Sequence, residues 1–157
     1  MLKEQELMTS IYMKDYNGAI NLAFELGHSY RLWSVLSEIM EQRGASADDT
    51  EQDDETPPAS PFDGLVASWD DERLAACLAF VREWNTNARR AGVAQALLSS
   101  ILRSIPFERL KQLPGVASLV DGLLPYTERH FLRIDKLAEA SFVIDYTLTE
   151  INELEGR

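Results

Sequence analysis

The chain has 157 residues, 45% of them hydrophobic, enough for one ordinary domain with its own core. Its lone cysteine, Cys77, excludes an internal disulfide, and no run approaches the roughly 20 apolar residues of a membrane span. The net charge of −11 is unevenly placed: residues 45–63 hold seven acids and no base, whereas residues 82–136 hold nine Arg or Lys against five Asp or Glu, a net +4. An acidic segment and a mildly basic body share the chain, so the global charge says little about what the folded body touches. The start, "MLKEQELM", is charged at once and lacks the apolar run of a secretory signal. A soluble intracellular domain is expected.

In chain order, Leu7, Met8, Ile11 and Tyr12 recur at helical spacing and predict a first helix. Asp15 is placed to cap a second, "YNGAINLAFEL", whose Tyr16, Ile20, Ala23 and Phe24 make one apolar face. Gly27 suits the left-handed position that closes it. Ser29 is placed to cap a third, "YRLWSVLSEIMEQR", with Leu32, Trp33, Leu36, Ile39 and Met40 as its stripe and Gly44 at its end. Short loops make these helices antiparallel neighbours. They have the flavour of a tetratricopeptide hairpin, but no second copy follows at a fixed period.

Residues 45–61, "ASADDTEQDDETPPASP", contain no aliphatic or aromatic side chain larger than alanine. Such a segment buries too little surface to offset the entropy of ordering it, so a flexible, disordered acidic insertion is expected there. Helix signals resume in "DGLVASWDDERLAACLAFVREW", where Leu74, Leu78 and Val81 share a face and Asp70 and Asp71 favour a helix N-terminus. Val93, Leu97 and Ile101 mark the next helix, and Pro106 opens a short one, "PFERLKQL". "LPGVASLVDGLL" reads as a further short helix, and Pro125 as the first turn of a long last one. No run alternates with period two. The fold is therefore read as all-α, an array or bundle of about eight helices ending in a long C-terminal helix.

Between two of these helices, "EWNTNARRAG" reads as a junction. Trp84 follows the apolar face of the preceding helix at i+3 from Val81. Asn85, Thr86 and Asn87 are suited to ending that helix and capping the next. Arg89 and Arg90 fall in the new helix's first turn, where the helix dipole disfavours cations. They are either two solvated arginines or a contact for an acidic or phosphate partner.

In the last helix, Ile134, Leu137, Ile144, Leu148 and Ile151 fall on one side at alternating three- and four-residue steps. Phe131, Leu132, Phe142, Val143 and Tyr146 fall on another, so the apolar surface exceeds the single stripe of roughly 100° that one core face needs. Either one side meets the chain's own core and the other a partner, or the helix is central and wrapped by its own domain. The first alternative makes Phe131, Leu132, Phe142, Val143 and Tyr146 a partner interface.

Residues for catalysis are sparse. His28 and His130 lie far apart, and neither has a Cys or His at metal-ligand spacing. His28 fits the helix boundary after Gly27, and His130 the polar edge of the last helix. Cys77 on an apolar helix reads as a small core residue. There is no glycine-rich phosphate loop, no nucleophile elbow and no nucleophile with an identifiable base. No enzyme activity, metal or cofactor is expected. A competing reading is an RNA-binding helical module that contacts pre-rRNA through the basic central surface, formed from Arg82, Arg89, Arg90, Arg103, Arg109, Lys111, Arg129, Arg133 and Lys136. No RNA-recognition signature supports it.

Three stretches, "KDYNGAINLAFELGHSYRLWSVL", "REWNTNARRAGVAQALLSSIL" and "PYTERHFLRIDKLAEASFVIDYTL", together carry a resemblance. The ordered combination of "WNTNAR", "VAQ" and "LPYTERHF" is its specific part. The chain resembles the C-terminal helical domain of the Utp-thirteen (transducin beta-like protein three) family, tandem WD-repeat subunits of the UTP-B complex. The resemblance runs from Leu2 to Leu154, leaving out the acidic insertion. It implies a non-catalytic assembly domain of a ribosome-biogenesis scaffold in the nucleolar small-subunit processome, which matures 18S pre-rRNA. It also implies two N-terminal β-propellers in the full-length protein, absent here, so residues 1–157 are expected to be one C-terminal domain. The implied partner is the helical tail of the related subunit Utp-twelve, with other UTP-B subunits. Self-association of the isolated chain and proximity to pre-rRNA are further expectations.

Overall fold

The computed structural model describes residues 2–46 and 60–155. Residues 47–59 of the expected insertion lie outside the described residues. The described part is helical: α1 (Leu2–Tyr12), α2 (Tyr16–Leu26), α3 (Ser29–Ser46), α4 (Asp63–Ala67), α5 (Asp71–Asn85), α6 (Ala91–Ser104), α7 (Phe107–Gln112) and α8 (Val116–Glu155). Among the described residues there are eight helices and no strand, the all-α class expected from the sequence.

Several boundaries follow from local chemistry. The Asp15 carboxylate accepts the Gly18 N–H at 3.1 Å and starts α2. Gly27 closes α2 in the left-handed region (φ 64°), and the His28 N–H reaches back to the Ala23 carbonyl at 3.0 Å. The Asp70 carboxylate accepts the Arg73 N–H at 2.8 Å and starts α5, with Asp71 and Glu72 in the favourable first turn. Ser29 behaves differently from the cap that its position suggested. It is the first residue of α3, and its hydroxyl accepts the Trp84 indole N–H at 3.0 Å and donates to Glu83 at 3.1 Å. The residue thus joins the start of α3 to the end of α5.

The helices differ from the expected set in three ways. Residues 63–85 form two helices, since the chain breaks at Ser68–Asp70 between α4 and α5. α3 continues past Gly44 to Ser46, and Ser60 is tied to Asp63 by a 3.0 Å bond to its backbone N–H, so the ends of the 45–61 segment belong to the helical body. The last two expected helices are one, with Pro125 inside α8. An interior proline removes a backbone donor and costs about 3 kcal/mol. Val116, Leu119 and Leu123, all packed on the core just before it, offset that loss and hold the helix through the proline.

α1 packs on α2, α2 on α3, and α3 on α6, while α5 packs on both α6 and the first half of α8. The core runs through all of them, from Leu7, Ile20 and Leu36 to Leu74, Val81, Trp84, Leu97 and Ile101, each 2% exposed or less. An aromatic row fastens α2 to α5: Trp69 meets Phe24 edge-on at 5.2 Å, Phe24 stacks near Phe80 at 6.3 Å, and Phe80 stacks on Trp84 at 6.0 Å. Each such pair adds about 0.5–1.5 kcal/mol beyond the area it buries.

Candidate protein-protein interface

α8 begins inside the body. Leu123 is buried, Val116 and Leu119 pack on the core, and the Arg82 side chain lies across the helix at Gly122. A Cβ at Gly122 would run into that guanidinium, so any larger residue there would displace the exposed Arg82 side chain.

A polar clamp follows at the point where α8 leaves the body. Asn85, the last residue of α5, is fully buried. Its amide donates to Thr127 Oγ1 at 3.0 Å and to the Leu123 carbonyl at 3.3 Å. Its own Oδ1 accepts from Gln95 Nε2 at 2.8 Å, and the same Gln95 nitrogen reaches Thr127 Oγ1 at 3.0 Å. His130 Nε2 lies 2.7 Å from the Asn85 backbone carbonyl. A carbonyl only accepts, so in this arrangement Nε2 carries the proton. Asn85, Gln95, Thr127 and His130 thereby lock α5, α6 and α8 together.

Sequence reasoning missed the clamp, because Asn85 reads as a cap and its partners lie on other helices. A signal was nevertheless present. The motifs "WNTNAR", "VAQ" and "LPYTERHF" converge here, each contributing a member of the network.

Beyond His130 the environment changes abruptly: every described side chain from Phe131 to Asn152 is exposed. Phe131, Leu132, Phe142, Val143 and Tyr146 are 51–73% exposed, and Ile134, Leu137, Ile144, Leu148 and Ile151 on the opposite side are 45–65% exposed. One of these stripes was expected to meet the chain's own core. Neither does, because the body ends where the clamp is.

This projecting segment is poorly suited to stand as a lone helix. Val143, Ile144, Thr147, Thr149 and Ile151 are β-branched, and Phe142 and Tyr146 are aromatic, all weak helix formers. The Thr147 and Thr149 hydroxyls bond back to the Val143 and Asp145 carbonyls at 2.7 and 2.9 Å, a pattern that slightly destabilises helices.

The junction holds Arg89 and Arg90 in the turn before α6, one step earlier than the first-turn placement expected from sequence. The Asn87 side chain accepts the Arg89 N–H at 3.0 Å, and the Thr86 hydroxyl closes α5 on the Glu83 carbonyl at 2.7 Å. The Arg90 guanidinium lies over the Tyr30 and Trp33 rings, 5.3 and 5.6 Å from their centroids. That cation–π contact is an intramolecular role invisible in the sequence. Arg89 is exposed beside it.

Other cations of the basic stretch are engaged within the chain. Arg109 pairs with Asp71 at 2.6 Å and donates to the Trp69 carbonyl at 3.0 Å, and Arg129 covers the Tyr126 ring at 5.4 Å. His28 sits between α2 and α3, 3.7 Å from Glu4 Oε1. Burial pushes the Cys77 thiol up, which keeps it protonated as a core side chain. Among the described residues no group of His, Cys, Asp or Glu side chains gathers to hold a metal ion. Nor is any described helix long and apolar enough to cross a membrane.

Similarity to known proteins extends over nearly the whole chain. A family model described as the Utp13 specific WD40 associated domain matches residues 4–151. The chain is similar to U3 small nucleolar RNA-associated protein 13 of Saccharomyces cerevisiae, 34% identical over 152 residues, covering 97% of this chain and 19% of that protein. It is also similar to transducin beta-like protein 3 of Bos taurus, 31% identical over 146 residues, covering 93% of this chain and 17% of the relative. The human transducin beta-like protein 3 is 30% identical over the same length, with 93% of this chain and 16% of the relative covered. The chain thus spans about a fifth of the length of the curated relatives it matches. A match to residues 4–151 takes in both the clamp and the projecting helix, and the chain belongs to the Utp13-specific WD40-associated domain family.

Proposed function

We propose that this chain is a non-catalytic assembly domain of a ribosome-biogenesis scaffold, acting in the nucleolar small-subunit processome that matures 18S pre-rRNA. One observation carries the proposal: α8 extends past its own body with both apolar sides bare. Stripes of this size on a monomer's surface mark interaction sites, since apolar area left in water is unfavourable. The name of the yeast relative, a U3 small nucleolar RNA-associated protein, supports the processome setting.

The partner in this reading is the helical tail of the related WD-repeat subunit Utp-twelve within the UTP-B complex. Phe131, Leu132, Phe142, Val143 and Tyr146 form the stripe that it covers. The WD-repeat propellers belong to the rest of the longer protein, and this domain ties them into the complex.

Co-purification with the Utp-twelve tail tests the proposal. The wild-type chain is expected to retain the tail, and Phe142→Asp and Tyr146→Asp are each expected to release it while leaving the helical circular dichroism melt unchanged. Failure of the wild-type chain to retain the tail, or retention unaffected by both substitutions, would overturn the assignment.

A further inference from the structure

A line of cations runs along one face of α8. Gly122, Arg129, Arg133 and Lys136 follow one another at steps of seven, four and three, which keeps them on one side of the helix. The Arg82 side chain from α5 occupies the space that a Cβ at Gly122 would take, so the line begins with a guanidinium as well. All four cations are exposed, and among the described residues no ion pair engages Arg82, Arg133 or Lys136. The Arg129 guanidinium lies over the half-buried Tyr126 ring, one turn beyond Gly122. A shallow groove follows the line past Arg129, Arg133 and Lys136, with Glu128 the one acid among its lining residues.

The acids of the same length of helix stand apart. Asp121, Glu128 and Asp135 recur at steps of seven and follow their own line, about 100° round the helix. Arg129–Arg133 and Arg133–Lys136 are thus like-charge neighbours at i+4 and i+3, an arrangement that weakens a helix by itself. The groove runs between Leu132 of one apolar stripe and Leu137 of the other, so the cations and the apolar sides of α8 are separate surfaces.

We propose that this basic face takes the sugar–phosphate backbone of a single-stranded RNA. Guanidinium forks suit phosphate oxygens, and a ring set among cations offers a base a face to stack on. From Gly122 to Lys136 the face runs about 21 Å, at a rise of 1.5 Å per residue, room for several successive phosphates. The net charge of −11 does not forbid this, because charges farther off than about 8–10 Å are screened at physiological salt. The inference rests on the processome setting proposed above, in which pre-rRNA is at hand, but uses neither apolar stripe.

Fluorescence anisotropy of a labelled oligouridylate of about ten nucleotides, titrated with the full chain at several salt concentrations, tests the face. Wild type is expected to bind, with log K falling against log salt at a slope of about −3, roughly −0.7 for each of four phosphates. Arg133→Gln with Lys136→Gln should weaken binding and bring the slope to about −1.5. Arg31→Gln, on α3, should change neither. No binding by wild type, or an equal loss from Arg31→Gln, would overturn the face. A poly-glutamate peptide bound as tightly as the oligouridylate would assign these cations to an acidic protein segment and overturn the RNA. The double variant is expected to retain the Utp-twelve tail, and its release would place the cations in that interface instead. A chain that retains the tail but binds no RNA would remove this inference alone, whereas one that does neither would remove the proposed function as well.

Discussion

The two halves of α8 share one helix and one apolar periodicity, yet they meet different fates. Before His130, Leu123 is buried and Val116 and Leu119 pack on the core, fixed by the clamp of Asn85, Gln95 and Thr127. After it, every described side chain to Asn152 is exposed. The difference teaches that amphipathic spacing specifies that a face is to be covered, and says nothing of which chain covers it. In the first half the cover is intramolecular. In the second, the stripes are bare and the segment is rich in weak helix formers.

Substitutions can break this contrast in order of expected effect on the isolated fold. Trp84→Ala removes a fully buried indole and its bond to Ser29, and is expected to cost about 3–5 kcal/mol in chemical denaturation. Asn85→Ala removes the buried amide's bonds to Thr127, to the Leu123 carbonyl and from Gln95 at the root of α8, an expected loss of about 1–3 kcal/mol. Hydrogen exchange should place that loss at residues 123–130, where the clamp grips the helix. Arg90→Ala removes the contact with Tyr30 and Trp33 at a partly exposed site, for an expected loss of about 0.5–1 kcal/mol in the same assay. Leu137→Asp on the projecting half should change the melt by less than about 0.5 kcal/mol under monomeric conditions, since no covered surface is disturbed. A large destabilisation by that substitution would erase the distinction between the halves.

The smallest effect belongs to the exposed pair Lys3–Glu25, bonded at 2.8 Å. The Lys3 ammonium holds the Glu25 carboxyl below its ordinary range, and the carboxylate holds Lys3 above its own. The pair's contribution is thus present at neutral pH. It fades as pH falls through the carboxylate range, and again as pH rises through the lysine range. Lys3→Met should lower the melting temperature slightly at pH 7 and not at all in acid.

Much of the body was legible in the sequence because its signals are local. The Asp15 and Asp70 caps, the left-handed Gly27 and the buried Trp84 each follow from one residue type at one position. The errors arise where tertiary contacts override local signals. Pro125 reads as a helix start, but core packing carries α8 through it. Ser29 reads as a cap, but Trp84 and Glu83 claim its hydroxyl. Asn85 and Arg90 read as a cap and an unexplained charge, because their partners, Thr127, Gln95, Tyr30 and Trp33, lie on other helices. The two stripes of α8 were readable as apolar faces, but their complete exposure depends on where the body ends.

The central claim is that the projecting half of α8, rather than the body, receives the partner. Hydrogen exchange on the chain with and without the Utp-twelve tail tests it most directly. The expected result is protection gained across residues 131–152, with body amides unchanged. Protection appearing instead around Arg89 and the junction, with residues 131–152 unaltered, would contradict it.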